Sequence, residues 1–206
     1  MRLYHHPLSL NARRVVMTAL QLDSPLELVL VDLRAQEQLQ PKYLKMNPNH
    51  RVPVLEDGDF YLWESRAIMQ YLADKKVGQT LYPTDVRVRA DVNRWLFWCS
   101  QHFTPAIGIL NWENAIKPMI GRGSPDSAEV KRGETLLAEF AAVLDAHLAG
   151  REWICGSSLT LADLSIAAAL GCAVPAKAPV SQYSHMQQWF GRVQGLEAWK
   201  KTTVVR

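Results

Sequence analysis

The chain has 206 residues, 48% hydrophobic and 21% charged, with 11 glycines and 11 prolines, which excludes collagen-like, coiled-coil and low-complexity proteins. Its 23 basic and 20 acidic residues leave a formal charge of +3, too small and too mixed to mark a nucleic-acid binder. No apolar run is long enough to span a bilayer, because the best candidate, residues 159–174, is cut by Asp163 and Ser165.

Up to about residue 80, short apolar runs alternate with helical patterns. Residues 2–5 form a strand candidate ended by Pro7, and residues 10–22 carry Ala12, Val15, Val16, Ala19 and Leu20 at helical spacing. Residues 26–31 (LELVLV) alternate like a strand. Two more strands, 51–55 and 60–63, flank Glu56-Asp57-Gly58-Asp59, and an Asp-Gly pair between apolar segments is a strong hairpin signal. Helical spacing returns over residues 65–75 through Ala67, Ile68, Tyr71 and Leu72. The order β-α-β, a short helix, then β-β-α suits a small mixed sheet covered by helices.

Gly, Pro, Thr and Asp between residues 76 and 86 read as a linker, and strand signals nearly vanish beyond it. Val88, Val92, Trp95, Cys99 and Phe103 step along one predicted helix face; Leu136, Phe140, Val143, His147 and Leu148 step along another. Thr160 and Asp163 have capping-box spacing at the start of a further helix, with Leu159 and Leu164 placed for a hydrophobic staple. Helices over 182–193 and 196–201 finish an all-helical second part. The predicted architecture is an α/β domain over residues 1–78, a linker over 79–85 and an all-α domain over 86–206.

The chemistry concentrates in NPNHRVPVLEDGDFYLWESRAIMQY, residues 47–71. Pro53 cannot donate to a sheet ladder, so Val52-Pro53 at a strand entry leaves the Val52 backbone free for an extended ligand, and X-Pro bonds are where cis peptides occur. Glu64-Ser65 falls where a strand meets a helix. A hydroxyl and free N–H groups at a helix start hold a carboxylate, while Glu64 suits an ammonium; together they grip an amino-acid head group. Equally, spacing allows Ser65 to be an N-cap and Glu64 a first-turn acid favoured by the helix dipole.

These features taken together resemble a cytosolic glutathione transferase. LYHHPLSLNARRV is similar to the serine-type phi, theta and delta members and their bacterial relatives, and residues 47–72 follow the delta-like and bacterial pattern almost throughout. The resemblance runs along the whole chain. It implies a thioredoxin-like N-terminal domain, an all-helical C-terminal bundle, a homodimer, and glutathione as co-substrate without a metal. It also implies a small hydrophobic electrophile as second substrate, bound between the domains, and no nucleic-acid or membrane partner. The start, MRLYHHPLSL, lacks the apolar core of a signal peptide, and three widely spaced cysteines without C-x-x-C fit a reduced, cytoplasmic compartment.

Residue by residue, the resemblance puts Ser9 where the family donates a hydrogen bond to the glutathione thiolate. A thiol with pKa about 8.5 is a few per cent ionised at neutral pH, and lowering it by ~2 units needs about 2.7 kcal/mol. One hydrogen bond to a charged group supplies ~1.5–3 kcal/mol, with a further contribution from the helix N-terminus. Asn11 shares that loop and is the alternative sulfur ligand. Val52, ahead of Pro53, would pair its backbone with the cysteinyl part, and Glu64 and Ser65 would hold the γ-glutamyl end. Gln38 and His50 match positions that meet the glycyl carboxylate, although histidine or lysine is more usual where Gln38 stands. Arg51 either adds a charge to that carboxylate or faces solvent, and Arg66 supports the γ-glutamyl site or a subunit interface. Two other functions fit the same pattern: glutathione-dependent reduction of disulfides or peroxides, and a non-catalytic binding or regulatory role.

Overall fold

The computed structural model describes residues 1–203. Strand β1 (Arg2–His5) lies at the centre of a four-stranded sheet of order β2-β1-β3-β4. It pairs in parallel with β2 (Glu27–Leu30) and antiparallel with β3 (Val54–Asp57), which forms a hairpin with β4 (Phe60–Leu62). Between β1 and β2 runs helix α1 (Leu10–Gln21). Ahead of β3 come a 3-10 turn (Glu37–Leu39) and a short helix α2 (Pro41–Leu44), and after β4 comes α3 (Ser65–Lys75).

The hairpin differs from its prediction at both ends. Asp57 pairs with Phe60, so the turn is Gly58-Asp59 alone, with Gly58 at φ 66° in the region glycine adopts without a Cβ penalty. The strand starts at Val54, not Arg51, because residues 47–53 are occupied by a side-chain-pinned loop described below. The sheet separates two apolar layers. On one side Val31, Tyr43, Met46, Val52 and Val54 bury together with Tyr4 and Leu33. On the α1 and α3 side lie fully buried Leu3, Val15, Ile68 and Leu72.

The chain divides into two compact units: Met1–Tyr82 together with the chain from Leu196 onward, and Pro83–Gly195. The first unit therefore includes α10 (Glu197–Lys201), which packs on α1. There the Arg13 guanidinium stacks 3.7 Å from the centre of the Trp199 ring and donates to the Trp199 carbonyl and the Thr202 and Thr203 hydroxyls.

In the second unit α4 (Val86–Trp98) runs through a π-helical turn (Cys99–Phe103) into α5 (Thr104–Asn111), then through a second π turn (Trp112–Ile116) into α6 (Lys117–Met119). Sequence periodicity had suggested one regular helix over this first stretch. Pro105 and Pro118 stand at the start of the segment after each π turn, where a missing N–H leaves regular i→i−4 bonding interrupted. Helix α7 (Ser127–Leu148) buries Gly133, Leu137, Ala141, Leu144 and Leu148, one strip over from the predicted face; Val143 is 47% exposed. At Gly133 α7 packs directly on α5: a Cβ there would lie 2.9 Å from Leu110 Cδ2.

Helix α8 (Leu161–Leu170) is buried all round and α9 (Ser184–Gly195) packs beside it. The predicted capping box at Thr160 and Asp163 is formed. Asp163, fully buried, accepts from the Thr160 N–H at 2.8 Å, the Thr160 hydroxyl at 3.0 Å, the Ile154 N–H at 2.9 Å and Trp189 Nε1 at 2.8 Å. Burial pushes this carboxyl up against the pull of those donors. All three cysteines are buried and none is in a disulfide. Among the described residues no helix is long and apolar enough to cross a membrane, and no group of three or more His, Cys, Asp or Glu is placed to hold a metal.

Candidate functional site

The strand register brings three chain crossings to one end of the sheet. Tyr4 near the end of β1 pairs with Val54 at the start of β3, and Leu55 pairs with Leu62 at the end of β4. The loop after β1, the loop before β3 and the connection after β4 therefore emerge side by side. They carry Ser9, Val52-Pro53 and Glu64-Ser65 respectively.

The first crossing is a tight turn. The Ser9 N–H donates to the His6 carbonyl at 2.9 Å, and the Leu8 N–H donates to His6 Nδ1 at 3.2 Å. Pro7 occupies the second position, where its fixed φ suits a β-turn. The turn delivers Ser9 as the N-cap of α1, its Oγ accepting the Ala12 N–H at 3.2 Å. A hydroxyl has two acceptor sites and one donor, so capping spends an acceptor and leaves the O–H to donate elsewhere. Asn11, two residues on in the first turn of α1, is exposed. His5 is held below its ordinary value by burial and by neighbouring His6.

The second crossing is held from behind. The Arg51 carbonyl accepts from the Tyr43 hydroxyl and from Asn47 Nδ2, both at 2.8 Å, while Asn47 Oδ1 accepts the Asn49 N–H at 3.0 Å. Asn47 is 2% exposed, so this anchor is shielded from competing water. The Val52–Pro53 bond is cis. Val52 lies outside the ladder, whose first β3 pair is at Val54, so its backbone N–H and C=O are not spent on the sheet. The side chains of His50 and Arg51 are exposed beside it, with His50 at φ 48°. Gln38 lies in the 3-10 turn before α2, its Oε1 enclosed without a hydrogen-bond partner among the described residues.

The third crossing corrects one sequence alternative: Glu64, not Ser65, is the N-cap residue of α3, and Ser65 is its first helical residue. The Glu64 side chain makes no capping bond to the first N–H groups of α3, where the positive end of the helix dipole lies. Glu64 adopts φ 71°, ψ 105°, a sparsely populated region costing on the order of 1–3 kcal/mol for a residue with a Cβ. Ser65 is 5% exposed, and its hydroxyl accepts from Arg14 Nη1 at 3.5 Å. Arg14 is fully buried, so a guanidinium stands directly beneath this helix start. Arg66, in the first turn, is half-buried.

Arg14, Tyr43, Asn47 and His6 complete the geometry, and sequence reading gave none of them these positions. A polar residue at an apolar spacing, such as Arg14 between Ala12 and Val15, was the available signal for the first.

Comparison with known proteins gives two family matches: residues 1–74 match the glutathione S-transferase N-terminal domain and residues 103–197 the C-terminal domain. Glutathione S-transferase 3 of Zea mays is 34% identical over 207 residues, covering 98% of this chain and 92% of that protein. The crystal structure of glutathione transferase F7 from Populus trichocarpa superposes with TM-score 0.91 at 30% identity, covering 98% of this chain and 96% of that one. Glutathione S-transferase I, solved with lactoylglutathione bound, has TM-score 0.88 at 28% identity, covering 98% and 97%. Both domains of these structures have the thioredoxin-like and all-helical folds expected here.

Proposed function

Because the chain belongs to the glutathione S-transferase family, we propose that it activates the glutathione thiol with Ser9 and transfers the thiolate to small hydrophobic electrophiles. The observation that carries this reading is the Ser9 hydroxyl: fixed by its cap to Ala12, it keeps its proton available to a sulfur at the N-terminus of α1. Ser9 acts as donor, not base. The thiolate it stabilises attacks an electrophilic carbon, forming the C–S bond as the leaving group departs with the bonding pair, or as electrons move into an acceptor π system.

The rest of the tripeptide follows the three crossings. Val52 offers its backbone to the cysteinyl peptide unit. Glu64 takes the γ-glutamyl ammonium, and the first N–H groups of α3, which Glu64 does not cap, take its carboxylate together with the Ser65 hydroxyl. Arg66 supports that end. His50, Arg51 and Gln38 attend the glycyl carboxylate, and Asn11 stands as second sulfur ligand. In this reading residues 1–78 are the glutathione domain, 79–85 the linker and 86–206 the all-α domain, although α10 packs back on α1 of the first unit. On the same reading the protein is a serine-type member of phi, theta or delta-like bacterial type, cytoplasmic, and works without a metal. It is a homodimer; Phe97 of α4, 67% exposed, is the kind of aromatic that an interface covers.

Difference absorbance of enzyme-bound thiolate tests the assignment. In Ser9→Ala the loss of one charge-assisted bond should raise the bound thiol's pKa by about 1–2 units, with turnover near neutral pH falling in step. Survival of both signals transfers the role to Asn11.

A further inference from the structure

We infer that His6 is a positioning residue for thiol activation: its neutral imidazole locks the turn that aims Ser9, and protonation releases the lock. The inference rests on the Ser9 reading above and goes beyond it. Two hydrogen bonds converge on His6 within one turn. Its carbonyl accepts the Ser9 N–H at 2.9 Å, closing the turn, and its Nδ1 accepts the Leu8 N–H at 3.2 Å, fixing the turn's interior. First turn positions favour Asn, Asp and Ser because their side chains accept from the N–H two residues on. His6 does the same work with a ring nitrogen.

Unlike those residues, His6 does so only in one protonation state. An imidazole whose Nδ1 accepts must carry its single proton on Nε2; imidazolium has donors at both nitrogens and repels the Leu8 N–H. The groups around His6 set its titration from several elements. His5 precedes it on β1, and Arg13 of α1 and Lys201 of α10 line a cavity of roughly 160 Å³ with His5 and His6. Asp32, just beyond β2, interacts electrostatically with His6. The three cationic or titratable neighbours oppose a positive charge on the ring, and Asp32 favours it.

Geometry and charge make opposite predictions, which gives the inference a sharp test. A cationic His6 acting only through its field would favour a nearby thiolate in acid. A lock acting through the turn loses thiolate in acid, because Ser9 drifts from its aim.

The experiment follows bound glutathione thiolate by difference absorbance against pH, with kcat and KM for glutathione, in wild type, His6→Asn, His6→Leu and Ser9→Ala. Thermal melts confirm that each variant folds. His6→Leu should lower kcat and thiolate signal at neutral pH about three- to tenfold, the effect of one lost hydrogen bond, with KM for glutathione little changed. His6→Asn should restore both, since its Oδ1 can accept the Leu8 N–H. It should also lose thiolate in acid with a one-proton profile where wild type falls more steeply. A normal His6→Leu beside a defective Ser9→Ala overturns the His6 role alone. Failure of His6→Asn to rescue, or an unchanged pH profile in it, also overturns the lock. A normal Ser9→Ala overturns both readings.

Discussion

Removing the Asp163 carboxylate should come close to unfolding the second unit. Four donors converge on this fully buried group: two backbone N–H groups, a hydroxyl and an indole N–H, all at 2.8–3.0 Å. They tie the start of α8 to the segment before it at Ile154 and to α9 at Trp189. In Asp163→Ala each orphaned buried donor costs about 1–3 kcal/mol, and loss of the cap adds ~1. The sum overshoots because relaxation and water entry recover part, and broken buried networks cost about 3–5 kcal/mol in practice. Against a total of roughly 5–15 kcal/mol, that is a large share of the protein's stability. Asp163→Asn keeps one acceptor but turns an NH2 toward the Thr160 N–H and should lose about half as much. Urea denaturation followed by tryptophan fluorescence reads both, Trp189 being part of the network. A midpoint shift worth less than about 1 kcal/mol for Asp163→Ala would refute the reasoning, since the donors would then have found other partners.

Burial holds His5 below its ordinary value, so the unfolded chain binds its proton first as pH falls. Stability from this site is present above the unfolded value of 6.5 and is lost as pH drops toward the lower folded value. His5→Gln should flatten the limb of the stability profile just below pH 6.5; an unchanged limb counts against the assignment. Asn47→Ala removes one of two anchors on the Arg51 carbonyl and frees Asn49. It should cost about 1–2 kcal/mol of stability and raise KM for glutathione several-fold with a smaller effect on kcat. An unchanged KM would detach this anchor from ligand binding.

Sequence pattern was most legible where local chemistry decides structure. Helix α3 runs over the predicted residues 65–75, the capping box forms between the predicted pair, and the Asp-Gly hairpin folds back where expected. It was least legible where tertiary contacts decide. The buried face of α7 runs through Gly133, where α5 packs too close for a side chain, and not through Val143, which the apolar count favoured. The π turns insert one residue per turn without altering the apolar spacing that periodicity reads, although Pro105 and Pro118 marked their places. At the site, residues at loop ends were visible as motifs, whereas buried supports such as Asn47 and Arg14 act through partners distant in sequence or through a carbonyl, which no residue pattern records.

Helix α10 joins the first unit, although all of Pro83–Gly195 lies between it and the rest of that unit. During synthesis the sheet and its first three helices leave the ribosome long before Trp199 is made. Until then the guanidinium of Arg13 lacks the ring it stacks on and the carbonyl it donates to. The nascent first unit is thus an unfinished body that must wait for the second to emerge, and a fragment cut at Tyr82 would retain that exposed side of α1. Completion of the unit that carries Ser9 thereby becomes a late event in synthesis.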